Sequence, residues 1–128
     1  MDPISNMLIM LKNASLAKKS SISFPYSKIK NAIIACLQKE GYVGQITKKS
    51  KKGFPVLEVE LLYVEDIPKI NEVKRVSKQS KRVYSKMKDL HGVRGGSGVL
   101  VLSTPKGILS GKDARREQVG GEVLFKMW

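Results

Sequence analysis

Apolar residues recur at helical spacing near the start of the chain: Ile4, Met7, Leu8 and Leu11, with Ser15 continuing the line. Residues three and four apart share one face of a helix, so the spacing predicts a helix from Pro3 to about Lys18. Asp2-Pro3 suits its first turn, since Asp accepts bonds from free N–H groups and Pro fits the first helical position. Ser21-Ile22-Ser23-Phe24 then alternates as a short strand does and stops at Pro25. Helical spacing returns with Ile29, Ala32, Ile33, Cys36 and Leu37, framed by Ser27 as a cap and Gly41 as a C-terminal stop.

From Tyr42 the period becomes two. Tyr42 to Thr47 and Pro55 to Val64 read as the strands of a hairpin, with Leu57, Val59, Leu61 and Tyr63 on one side and Lys48 to Gly53 as a basic turn. Glu65-Asp66-Ile67-Pro68 breaks the pattern and is the expected border between two lobes, residues 1–66 and 67–128. Past it, Ile70 to Ser77 and Arg82 to Met87 read as strands. Gly92, Gly95, Gly96 and Gly98 form a flexible approach to Val99-Leu100-Val101-Leu102, an apolar run that reads as a buried strand. A Ser103-Thr104 turn follows. Ser110-Gly111-Lys112-Asp113 matches a capping box and opens a short helix to about Gln118, and Glu122 to Trp128 is a closing strand. The expected fold class is α+β: an N-terminal lobe of two helices and a short sheet, and a mainly β C-terminal lobe with one short helix.

Charge changes this picture more than size does. The 128 residues carry 24 Lys plus Arg against 11 Asp plus Glu, a net charge of +13. Self-repulsion on that scale disfavours a compact state unless a partner neutralises it, and nucleic-acid phosphates do so with release of counterions. Cys36, the single cysteine, excludes an internal disulfide and a cysteine metal cluster, and it fits a reducing cytoplasm. No stretch approaches the ~20 apolar residues of a membrane span, and no basic-then-apolar leader opens the sequence.

Catalysis finds little support. His91 is the only histidine. Ser103, His91 and Asp89 compose a triad on paper, but no nucleophile-elbow motif frames the serine. The glycines from Gly92 to Gly98 match neither a P-loop nor a dinucleotide fingerprint. No enzyme activity, cofactor or metal is expected. A small basic enzyme acting on RNA stays a third hypothesis, and it requires turnover that depends on His91.

Binding is better supported. Lys74, Arg75, Lys78, Lys81, Arg82, Lys86 and Lys88 fall in one window without an acid, and Tyr84 lies among them. Basic groups meet phosphates while an aromatic face stacks on sugar or base. On a strand, Arg82, Tyr84 and Lys86 share a face. A solvated edge strand guarded by lysines explains the charges, though not the tyrosine. Ser103 and Thr104 can both donate and accept, as base edges and 2′-hydroxyls require, and Lys106 adds charge beside Pro105. A Ser-Thr pair is also a common turn former, and spacing alone does not separate these readings. For Lys48 to Lys52, a solvated loop and a phosphate clamp are equally open.

Short pieces in order along nearly the whole chain resemble the bacterial type of the universal small-subunit ribosomal protein S-eight family. They are Asp2-Pro3-Ile4 with Met7-Leu8 and Asn13, Ser27-Lys28, Lys39-Glu40-Gly41-Tyr42, Arg75-Val76-Ser77, Arg82-Val83-Tyr84, Leu102 to Leu109, Ala114-Arg115 and Gly120-Gly121-Glu122. The resemblance implies a structural constituent of the small ribosomal subunit, cytoplasmic and in contact with neighbouring ribosomal proteins. It implies direct binding to the central domain of small-subunit ribosomal RNA, early in assembly, through the C-terminal lobe. It points to Ser103, Thr104, Tyr84 and Glu122, with Gly121 in the Gly-Gly-Glu approach; Lys81, Arg82, Lys86 and Lys106 join them from the charge pattern. It also implies an alternative role as a translational repressor that binds its own operon messenger RNA. Three departures stand out. Lys78-Gln79-Ser80-Lys81 replaces a Pro-Gly turn and is expected to be looser. Pro105 stands where a third hydroxyl is usual, so one bond to RNA is expected to be missing. Asn6 stands near where a basic residue is common.

Overall fold

The computed structural model describes residues 3–78, 80–86 and 98–128. The expected Asp2 cap, Met87, Lys88, Asp89, His91, Gly92, Gly95 and Gly96 lie outside the described residues, as does Gln79. The fold is α+β, and its contacts divide the chain between Asn71 and Glu72. Among the described residues, no helix is long and apolar enough to cross a membrane.

In the first unit, α1 (Pro3–Leu16) buries Met7, Leu8, Leu11, Ala14 and Ser15, the predicted stripe with Ala14 added. It stops short of Lys18 because that residue turns left-handed (φ 57), and the N–H groups of Lys18 and Lys19 return to the carbonyls of Ser15 and Ala14. β1 (Ser21–Pro25) leads to α2 (Lys28–Lys39). There Ser27 Oγ accepts from the Lys30 N–H at 3.2 Å, satisfying one of the free donors of the first turn. At the other end Gly41 (φ 85) and Tyr42 donate back to Gln38 and Leu37, a Schellman ending that glycine makes cheap. α2 buries Ile33, Ile34, Cys36 and Leu37, whereas the expected Ile29 is largely exposed in its first turn.

β2 (Val43–Lys51) and β3 (Phe54–Leu61) complete an antiparallel sheet of order β1-β3-β2. Leu57, Val59 and Leu61 alternate into the core. The basic turn is much shorter than expected. Lys48 to Lys51 pair with Leu57 to Phe54, so only Lys52 and Gly53 remain in the turn. Ladder bonds outweigh the weak strand preference of lysine here, and two of the side chains find partners. Lys48 Nζ lies 4.1 Å from the Tyr26 ring centroid, and Lys49 Nζ is 3.0 Å from Glu58 Oε2. The run expected to end at Val64 breaks at Leu62. Beyond it, β4 (Tyr63–Val64) and β5 (Ile67–Pro68) form a separate ribbon with Glu65-Asp66 as its turn.

The second unit is built around β10 (Gly121–Met127). β8 (Val99–Thr104) pairs along one side of it, and β9 (Gly107–Ser110) lies beyond β8. β6 (Val73–Arg75) and β7 (Tyr84–Ser85) take the other side. All pairs are antiparallel. The strand expected from Ile70 to Ser77 ends at Arg75 and the one expected from Arg82 begins at Tyr84, on either side of an irregularity in β10 between Val123 and Phe125. Across it, Val76 and Ser77 donate to the carbonyls of Leu124 and Val123, and the Arg75 guanidinium also donates to Leu124 O. Leu109, Leu102 and Val123 are neighbours across three strands. The short helix α3 (Gly111–Arg116) lays Ala114 on Leu102 and Val123, with Val76, Leu100 and Val119 around them. Ser110 Oγ caps this helix through the Asp113 N–H at 3.1 Å, as the capping-box pattern predicts.

Candidate nucleic-acid interface

Ser103 and Thr104 are the last two residues of β8, not the turn that follows it. The turn is Pro105-Lys106, closed by the Thr104–Gly107 pair. This placement makes the two hydroxyls unequal. Thr104 Oγ1 accepts from the Lys106 N–H at 3.1 Å and donates to Gly107 O at 2.8 Å, so it holds the turn together. Ser103 Oγ enters no hydrogen bond among the described residues.

The strand register does the assembling. Glu122 pairs with Tyr84 on one side and with Ser103 on the other, and Ser103 pairs with Ile108 beyond it. Directly opposed residues of antiparallel strands place their side chains on the same face. Tyr84, Glu122, Ser103 and Ile108 therefore form a row across four strands. The adjacent row, Val123, Leu102 and Leu109, faces the other way, toward α3. Tyr84 stands 68% exposed at one end of the first row, which leaves its ring open for stacking. Residues separated by up to 38 positions in sequence, Tyr84 to Glu122, thus meet without any loop between them.

Three contacts keep this row in place. Gly121 is the first: a Cβ there would stand 2.1 Å from Ser103 O and 3.1 Å from Thr104 Cα. Only glycine lets β10 approach the end of β8 so closely. The second is Ser77, which is fully buried. Its hydroxyl accepts from the Val83 N–H at 2.8 Å and donates to Val83 O at 3.2 Å, tying the segment before β7 to the body of the unit. Nothing in the periodicity singled out Ser77; only its place in Arg75-Val76-Ser77 marked it. The third is Arg82, whose Nη1 lies 3.3 Å from both carboxylate oxygens of Glu122. That guanidinium offsets the one negative charge in the row.

The remaining expected residues flank the row. Lys78 and Lys81 exchange both backbone bonds (2.8 and 3.1 Å); the looser turn expected between them includes Gln79, which lies outside the described residues. Lys81, Arg82, Tyr84 and Lys86 are all exposed while Val83 and Ser85 between them are half-buried, the alternation the sequence predicted. Among the described residues Lys81 and Lys86 make no ion pair. Lys106 is tethered, with Nζ 3.6 Å from Glu117 Oε1.

Comparison with known proteins identifies the family. A family model described as ribosomal protein S8 matches residues 2–128. The small ribosomal subunit protein uS8 of Roseiflexus castenholzii is 41% identical over 128 residues, covering 99% of this chain and 97% of that protein. The proteins of the same name from Dechloromonas aromatica and Rickettsia rickettsii are each 44% identical, covering 96% and 99% of this chain and 94% and 97% of their own lengths. A match of this extent carries a plain conclusion: the chain belongs to the ribosomal protein S8 family.

Proposed function

We propose that this chain is a structural constituent of the small ribosomal subunit, that it works in the cytoplasm within the ribosome, and that it binds the central domain of small-subunit ribosomal RNA during assembly. Family membership and the +13 charge support the setting. The observation that carries the reading is the cross-strand register of Tyr84, Glu122 and Ser103. It sets an exposed aromatic ring, an Arg-paired carboxylate and an available hydroxyl side by side. That combination offers a stacking surface and polar groups for an unstacked base or a 2′-hydroxyl. Lys81 and Lys86 beside it supply attraction to phosphate that is indifferent to sequence.

In this reading the hydroxyl and the carboxylate select while the lysines attract. The lobe from about residue 67 to 128 supplies the main RNA surface. A filter-binding titration of the protein against a central-domain stem and a scrambled hairpin, at several salt concentrations, tests it. The stem is expected to bind more tightly at every salt concentration, with both affinities falling as salt rises. Equal affinity for the two RNAs would sink the proposal.

A further inference from the structure

The ribbon of β4 and β5 differs in character from the rest of the chain. Val64 and Ile67 are direct cross-strand partners and are 57% and 62% exposed. Between them sit two consecutive acids, Glu65 and Asp66, on a chain whose cations outnumber its acids 24 to 11. Among the described residues neither carboxylate has an ion-pair partner. The ribbon has a fixed base: the Tyr63 hydroxyl donates to Lys19 O at 2.5 Å and the Lys69 N–H donates to Leu62 O at 3.0 Å.

Its turn is also unfavourable for the residues that form it. Glu65 and Asp66 both have positive φ, 51 and 67. A two-residue turn of this kind prefers Asn-Gly or Asp-Gly, because side chains with a Cβ lose energy in the left-handed region. Folding alone would favour those residues, so the acids at these positions point to a role outside the fold.

We propose that this ribbon docks onto a lysine- or arginine-rich segment of a neighbouring protein in the ribonucleoprotein, a step that rests on the assembly reading above. Val64 and Ile67 would pack on apolar atoms of that segment while Glu65 and Asp66 meet its cations. RNA does not fit this tip. Two carboxylates repel phosphates, and the apolar pair gains nothing from a phosphate backbone. A basic protein segment satisfies both halves, since the long stems of Lys and Arg bury against apolar side chains while their charged ends reach carboxylates. Four residues cover far less than the roughly 1,200 Å² of a stable free-standing interface. The contact therefore forms where RNA already holds both proteins close and raises their effective concentration.

The test places a benzophenone amino acid at Val64, incorporates the protein into small ribosomal subunits, irradiates them, and sequences the adduct. The expected product is a crosslink to a peptide rich in Lys and Arg from another protein. A crosslink to RNA, a crosslink to an acidic or neutral peptide, or no crosslink would each overturn the proposal. A companion variant, Glu65→Asn with Asp66→Gly, keeps the turn and removes both charges. It is expected to cut the yield about tenfold, the effect of two partly exposed ion pairs, while leaving affinity for the central-domain stem unchanged. An undiminished yield overturns the charge complementarity. The filter-binding titration separates the two claims: tight stem binding with an RNA adduct at Val64 overturns only this proposal, and a chain that neither binds the stem nor enters the particle overturns both.

Discussion

Replacing Gly121 by Ala tests whether the interface row depends on the close approach of β10 to β8. The added methyl would stand 2.1 Å from Ser103 O and 2.9 Å from Ser103 C, where ordinary contact begins at about 3.4 Å. Both obstacles are backbone atoms of a paired strand, so no flexible side chain can move aside. The strands must separate locally by about an ångström. Overpacking of that kind costs about 1–3 kcal/mol, and a lost ladder bond adds about 1 kcal/mol, giving about 2–4 kcal/mol in all. Urea denaturation reads this as a lower midpoint at an unchanged slope. A change below about 0.5 kcal/mol would refute the close approach, since that is the range of neutral surface substitutions. Binding gives a second readout under conditions where the variant stays folded. Displacing Glu122 and Ser103 should weaken the central-domain stem at least about tenfold and leave the scrambled hairpin nearly unaffected.

The two adjacent hydroxyls should separate by role. Ser103→Ala is expected to weaken the specific RNA by about 1–3 kcal/mol in filter binding, with little change in non-specific binding or thermal stability. Thr104→Ala should do the reverse: it removes both bonds that hold the Pro105-Lys106 turn and should lower stability by about 1–2 kcal/mol in urea. Lys81→Ala should weaken specific and scrambled RNA alike and reduce the salt slope by about 1, as loss of one phosphate contact does. Ser77→Ala leaves the Val83 N–H without its bond and is expected to cost about 1–3 kcal/mol, read by urea denaturation.

How much of this was legible in the sequence depended on backbone handedness. The stripes on α1 and α2 and the alternation of Leu57, Val59 and Leu61 were readable because burial imposes a period. The end of α2 was readable because Gly41 occupies its left-handed position. The ends of α1 and α3 use Lys18 (φ 57) and Gln118 (φ 59) at the same position, and neither residue advertises a stop. Expectation therefore ran the helices on to those very residues. The same blindness turned the Glu65-Asp66 turn into a break in pattern. The end of β6 at Arg75 and the start of β7 at Tyr84 were missed for another reason: the irregularity in β10 that lies between them belongs to a strand far away in sequence.

The site was legible as a set of residues and illegible as an arrangement. Tyr84, Ser103 and Glu122 could each be named from composition or resemblance, but no local pattern places them edge to edge. Register does that, and register depends on how β10 threads between β7 and β8. The arrangement also gives the residues named unequal surroundings. Of the two hydroxyls in the expected pair, Thr104 bonds within its own turn while Ser103 does not, and Pro105 brings none. Under the proposed function, selectivity at this edge rests on Ser103 and on the carboxylate of Glu122. Arg82, expected among the RNA-binding residues, lies against that carboxylate and offsets its charge. In the proposed reading a strand end with one available hydroxyl is enough to discriminate, because the flanking lysines would add affinity without preference and leave the choice of RNA to the groups in the row.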